Sequence, residues 1–232
     1  MAPVTNLFTS PPRLPLIAPS ILSADFGAMG EDAGHILRAA HEVASGGGGG
    51  GGADLLHVDV MDGHFAPNLT MGPDMVRGVK RHLPQAFCDV HLMVMDPARF
   101  IEPFANAGAG HCTFHIERVQ GDDAVMLADH CHTLGITAGI CLNPATAVDE
   151  VLKVVAAFDL VLVMSVNPGF SGQKFMPAVL SKAAAIATDI SPEALVTAAK
   201  NAQRHKVDDR VEFLDGDLLA PLLDHPDGLG FH

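Results

Sequence analysis

At 232 residues the chain is long enough for one large domain, and 48% apolar against 18% charged residues suits a globular protein with a buried core. It has no run of about eighteen apolar residues and no basic leader followed by an apolar stretch and a cleavage site, which predicts a soluble, cytoplasmic protein with no membrane partner. A formal charge of −13, a pI near 5.3 and unclustered lysines and arginines exclude a nucleic-acid surface.

In chain order, short apolar runs alternate with amphipathic segments, the pattern of repeated strand-helix units around a parallel sheet. Strands are expected at 16–20, 55–60, 86–93, 112–115, 137–142 and 160–165, and helices at 31–44, 73–82, 97–107, 122–134 and 145–157. A barrel unit takes roughly 30 residues, so two more units fit after Ser165 and eight strands are arithmetically allowed. Gly46 to Gly52 is a run of seven glycines ahead of the second strand. It reads as a flexible surface insertion, because no helix N-terminus follows it to make a phosphate cradle. Beyond Ala185 a short strand, a helix begun by Ser191 and Pro192, and a further strand at 211–217 are expected.

The chemistry lies in two strands. Alternation puts His57, Asp59 and Met61 on one face of the second strand, and Asp89, His91 and Met93 on one face of the third. A lone strand histidine is ordinarily a packed residue, but the two patterns together aim N, O and N donors at one divalent cation. Of 13 histidines, only His57 and His91 carry such a pattern. Met61, Met93 and Met164 read equally as core packing or as the lining of a site. Cys88, Cys112, Cys131 and Cys141 lack metal spacing and are expected to be buried thiols. The stretch Gly169-Phe170-Ser171-Gly172 follows a strand at the end where barrel sites lie, and alone is an ordinary loop.

Five ordered blocks carry a resemblance: Ala18-Pro19-Ser20 through Phe26, His57 through Phe65, Asp89 through Met93, Leu142-Asn143-Pro144-Ala145-Thr146, and Val163 through Phe175. Over about 16–182 they resemble the ribulose-phosphate 3-epimerase family. The resemblance implies a (β/α)8 barrel of the TIM type, occupying 14–184 here as six units. It implies a metal-dependent isomerase interconverting D-ribulose 5-phosphate and D-xylulose 5-phosphate through an enediolate. One divalent ion (Zn, Fe, Mn or Co) would be held by His57, Asp59 and His91. Asp59 would be the catalytic base, Ser20 and His91 would touch the sugar phosphate, and Gly169, Phe170, Ser171 and Gly172 would bind its phosphate. Homo-oligomerisation is left open.

The resemblance also calls for a second acid/base aspartate in a Val-Asp-Gly-Gly motif on the seventh strand, and for a late Gly-Ser pair. Neither motif occurs after Lys182. Instead 186–221 resembles a fragment of a release-factor glutamine methyltransferase, with Asp189 and Asp217 at its cofactor positions. On this reading 185–232 is a foreign strand-helix-strand segment replacing the last two barrel units, and Asp189 would end the seventh strand. The alternative to an epimerase is a non-catalytic chimeric barrel retaining metal or phosphate binding.

Overall fold

The computed structural model describes residues 6–12, 16–44 and 53–186; the glycine tract and the segment carrying Asp189 and Asp217 lie outside them. Five parallel strands form one sheet in consecutive order: β1 (Leu56–Met61), β2 (Cys88–Met93), β3 (His111–His115), β4 (Thr137–Leu142) and β5 (Leu160–Val163). Consecutive order with intervening helices is that of (β/α) barrels; doubly wound sheets reverse direction at a switch point. The helices are α1 (Met29–Ala44), α2 (Pro73–His82), α3 (Ala98–Ala107), α4 (Gly121–Thr133), α5 (Asp149–Leu152) and α6 (Leu180–Ile186).

Local chemistry accounts for the boundaries. Pro73 opens α2, where its missing N–H costs nothing, and Lys80, Arg81 and His82 lie in the last turn beside the negative end of the dipole. Gly108 ends α3 at φ 101°, a left-handed cap open to glycine. Ala124, Ala128 and Cys131 repeat at helical spacing and form the buried face of α4.

Alternation divides the strands into two environments. Val58, Val60, Val90, Leu92, Cys112, Phe114, Ala138 and Ile140 pack with Val76, Ile101, Phe104 and Ala128 of the helices in one apolar core. The alternate positions carry the polar groups His57, Asp59, Asp89, His91, His111, Thr113, His115 and Thr137, together with Met61, Met93, Gly139 and Cys141. All four cysteines are free and buried, as expected.

Three expectations are corrected. Residues 16–20 form no ladder of their own. They run beside β1, where the carbonyl of Ile17 accepts from Asp54 N–H and that of Pro19 from His57 N–H, and only Ser20 makes a bridge, to His57. Pro19 has no N–H to extend the pairing, and Ser20 at once caps a 3-10 turn, Ile21–Ser23. The helix expected at 145–157 shrinks to α5 and a 3-10 turn, Val155–Ala157. Its first residues are held as a loop by Glu117 and Lys182, and Val148, Val151, Val154 and Val155 are β-branched. Ala185 and Ile186 end a helix where a strand was expected to begin, in keeping with the helix-favouring alanines before them.

Candidate metal centre

β1 and β2 pair in register, His57 opposite Asp89 and Asp59 opposite His91. Three donor atoms therefore converge. His57 Nε2 lies 3.3 Å from Asp59 Oδ1, and His91 Nδ1 lies 3.2 Å from the same oxygen. All three groups offer ligand atoms within 4.8 Å of one another. Two imidazole nitrogens and a carboxylate oxygen suit zinc, iron, manganese or cobalt, so the donor set fits the implied cation.

The surroundings complete that fit. His57 Nδ1 lies 2.7 Å from Asp89 Oδ2, which leaves Nε2 as the ring nitrogen facing Asp59 and is the contact an outer partner of a metal-bound histidine would make. Burial disfavours charge on His57, but hydrogen bonds to Asp59 and Asp89 outweigh it and raise its pKa to about 10. Burial likewise opposes ionisation of Asp59, yet His57 and His91 hold its carboxyl well below the usual carboxylate range. Two carboxylates thus favour positive charge in this pocket. His91 behaves oppositely: burial, with His115 beside it, pushes it down to about 4.

Ser20 reaches the same centre, its hydroxyl donating to Asp59 Oδ2 and accepting the N–H of Leu22. The stretch from Gly169 to Gly172 lies in the loop after β5. Ser171 Oγ is 3.2 Å from Ser23 Oγ, just beyond Ser20, and Asn68 Nδ2 donates to the carbonyl of Gly169 at 3.0 Å. Gly169 sits at φ 141°, and a Cβ there would lie 3.2 Å from Pro67. Phe170 is exposed. Met61 and Met93 join Ala66, Leu22 and Phe65 in a small apolar cluster separate from the main core, whereas Met164 is half-buried after β5.

The expectation that only His57 and His91 carry a pattern is also corrected. His111, Thr113 and His115 alternate with Cys112 and Phe114 in β3, and this period was legible in the sequence. His91 Nε2 lies 2.9 Å from His115 Nε2, and His115 Nδ1 lies 2.9 Å from Glu117 Oε2. Glu117 Oε1 accepts from Asn143 N–H at 2.8 Å and from the Thr146 hydroxyl. Cys141 of β4 faces His91 and His115 within 4.8 Å. Asp89 Oδ1 is buried without a hydrogen-bond partner among the described residues.

The profile described as "Ribulose-phosphate 3 epimerase family" matches residues 16–200. The chain is 43% identical over 173 residues to the cytoplasmic isoform of ribulose-phosphate 3-epimerase from Oryza sativa subsp. japonica, covering 73% of this chain and 70% of that protein. It is 43% identical over 171 residues to ribulose-phosphate 3-epimerase of Synechocystis sp., covering 74% and 69% of the two chains. It is 44% identical over 172 residues to the enzyme of that name from Mycobacterium tuberculosis, covering 74% and 68%.

Proposed function

Since the chain belongs to the ribulose-phosphate 3-epimerase family and is an enzyme of that family, we propose that it binds D-ribulose 5-phosphate over the β1–β2 centre and that Asp59 removes the proton at C3. The observation that carries this reading is the convergence of His57, Asp59 and His91 on one point beside Ser20.

A ketose C3–H is a weak acid, so its removal needs a base on one face and stabilisation of the negative charge that moves onto the oxygens. Asp59 is ionised at neutral pH and half-buried, so a carboxylate oxygen is free of a proton and able to accept one. A divalent cation held by His57, Asp59 and His91 would supply Lewis-acid stabilisation of the developing enediolate charge. Ser20 orients the Asp59 carboxylate through its hydroxyl. Met61 and Met93 keep bulk water from the reacting carbon. The loop from Gly169 to Gly172, where the two glycines let the backbone approach closely, receives the phosphate.

Inversion needs a second acid on the opposite face, and the Val-Asp-Gly-Gly motif that would supply it does not occur after Lys182. The half-reaction at Asp59 is therefore expected to outrun epimerisation. In heavy water with added manganese or zinc, the C3 hydrogen of ribulose 5-phosphate should exchange faster than xylulose 5-phosphate forms. Asp59→Asn should abolish both. Absence of exchange together with retained binding of metal and sugar phosphate would favour the non-catalytic reading, to which the missing motif also points.

A further inference from the structure

We propose that Asn68 and Gln173 are positioning residues for the substrate phosphate: their carboxamides tie back the carbonyls of Gly169 and Phe170 and so present the N–H groups of Phe170 and Ser171 as donors to the anion. This rests on the reading of Gly169 to Gly172 as the phosphate loop.

Three loop carbonyls meet carboxamides. Gln173 Nε2 lies 2.7 Å from the carbonyl of Asn167 and 2.9 Å from that of Phe170. A carbonyl only accepts, so the NH2 end of Gln173 faces both. Asn68 Nδ2 donates to the carbonyl of Gly169 at 3.0 Å, and its Oδ1 accepts the N–H of Leu69 at 2.9 Å, which fixes the end of the amide that meets the loop. A trans peptide points its N–H opposite to its C=O. The Gly169–Phe170 peptide therefore turns the N–H of Phe170 away from Asn68, and the Phe170–Ser171 peptide turns the N–H of Ser171 away from Gln173. Neither N–H donates to any group among the described residues. The remaining tether, at Asn167, precedes Pro168, which has no N–H, so it closes the base of the loop without orienting a donor.

Phosphate is bound chiefly through acceptor oxygens, so a loop carbonyl swung toward it repels it, whereas successive N–H groups attract it. The tethers are themselves anchored. Just beyond β1, the carbonyl of Asn68 accepts from Gly63 N–H and its N–H donates to Ala66, both at 2.8 Å. Gly169 is buried and reaches Asn68 because it lacks a side chain: a Cβ would lie 3.2 Å from Pro67. Met176 N–H closes the loop on the carbonyl of Ser165 at 2.9 Å. Ser171 Oγ, 3.2 Å from Ser23 Oγ, sets the loop against the turn that Ser20 caps, beside Asp59.

The test is a titration of the metal-free full-length chain with inorganic phosphate, read from backbone proton-nitrogen signals. The amides of Phe170 and Ser171 should move most. Gln173→Met and Asn68→Leu remove the donors and keep the side-chain bulk, and each should weaken phosphate binding about 10-fold, the low end for a hydrogen bond to a charged group. Gln173 is exposed, so Gln173→Met should melt like the parent, and its lost affinity then belongs to the loop and not to the fold. If phosphate moves the two amides and Gln173→Met binds it as tightly as the parent, this inference fails and the phosphate-loop reading stands. If phosphate moves no amide in 169–172, the phosphate-loop reading itself fails and this inference with it.

Discussion

The imidazole of His57 and the carboxylate of Asp89 occupy paired positions of the β1–β2 ladder, with Nδ1 2.7 Å from Oδ2. The other oxygen of Asp89 is buried without a hydrogen-bond partner among the described residues. Asp89→Asn should therefore leave the fold intact, since its carbonyl still accepts from His57. It removes the charge that makes His57 a strong donor, and zinc affinity should fall about 10- to 100-fold in a chelator-competition titration. Unchanged affinity would remove Asp89 from the centre.

Gly139 of β4 is required by its neighbours on β3. A Cβ there would lie 2.3 Å from Thr113 Oγ1 and 2.6 Å from His111 Nε2, both in a buried layer. Gly139→Ala should cost about 1–3 kcal/mol, the usual range for overpacking. Urea unfolding measures this, and a parent-like midpoint would contradict the close approach.

His111 predicts acid sensitivity. It is buried between Thr137 Oγ1 and Thr113 Oγ1, and burial lowers its pKa from 6.5 to about 4. Between those values the unfolded chain binds the extra proton and the folded chain does not. The contribution is complete above pH 6.5 and is lost progressively as pH falls toward 4, at about 1.4 kcal/mol for each pH step of one across that window. His111→Gln, though less stable at neutral pH, should lose less of its melting temperature than the parent between pH 7 and 4.5. Equal losses would show that His111 does not titrate in the folded protein as described.

Lys182 ties α6 to the loop after β4. Its Nζ donates to the carbonyls of Asn143 and Pro144, at 3.3 and 2.7 Å, and to that of Thr146. Lys182→Met should speed amide exchange in 143–147 and lower the melting temperature by a few degrees, since three half-buried acceptors lose their donor. Lys153→Met removes only an exposed pair with Glu150 and should be near neutral. Equal effects of the two would mean that the α6 contact carries no stability.

The sequence alone placed the β1 and β2 site residues because strand geometry has a period of two: once 55–60 and 86–93 are strands, His57 shares a face with Asp59 and Asp89 with His91, whatever the rest of the chain does. The same local logic placed α2 and β4 at their observed bounds. It failed where a local pattern was broken by distant partners, as at 145–157, where Glu117 and Lys182 hold the first residues out of the helix. The relay from Asp59 through His91 and His115 to Glu117 depended on the tertiary structure. The polar alternation of His111, Thr113 and His115 was visible along the chain. That His115 meets His91 across two strands, and that Glu117 turns back to accept from Asn143 and Thr146, depends on the register between β2, β3 and β4. Register is decided by which side chains bury together, a long-range property that no window of sequence contains.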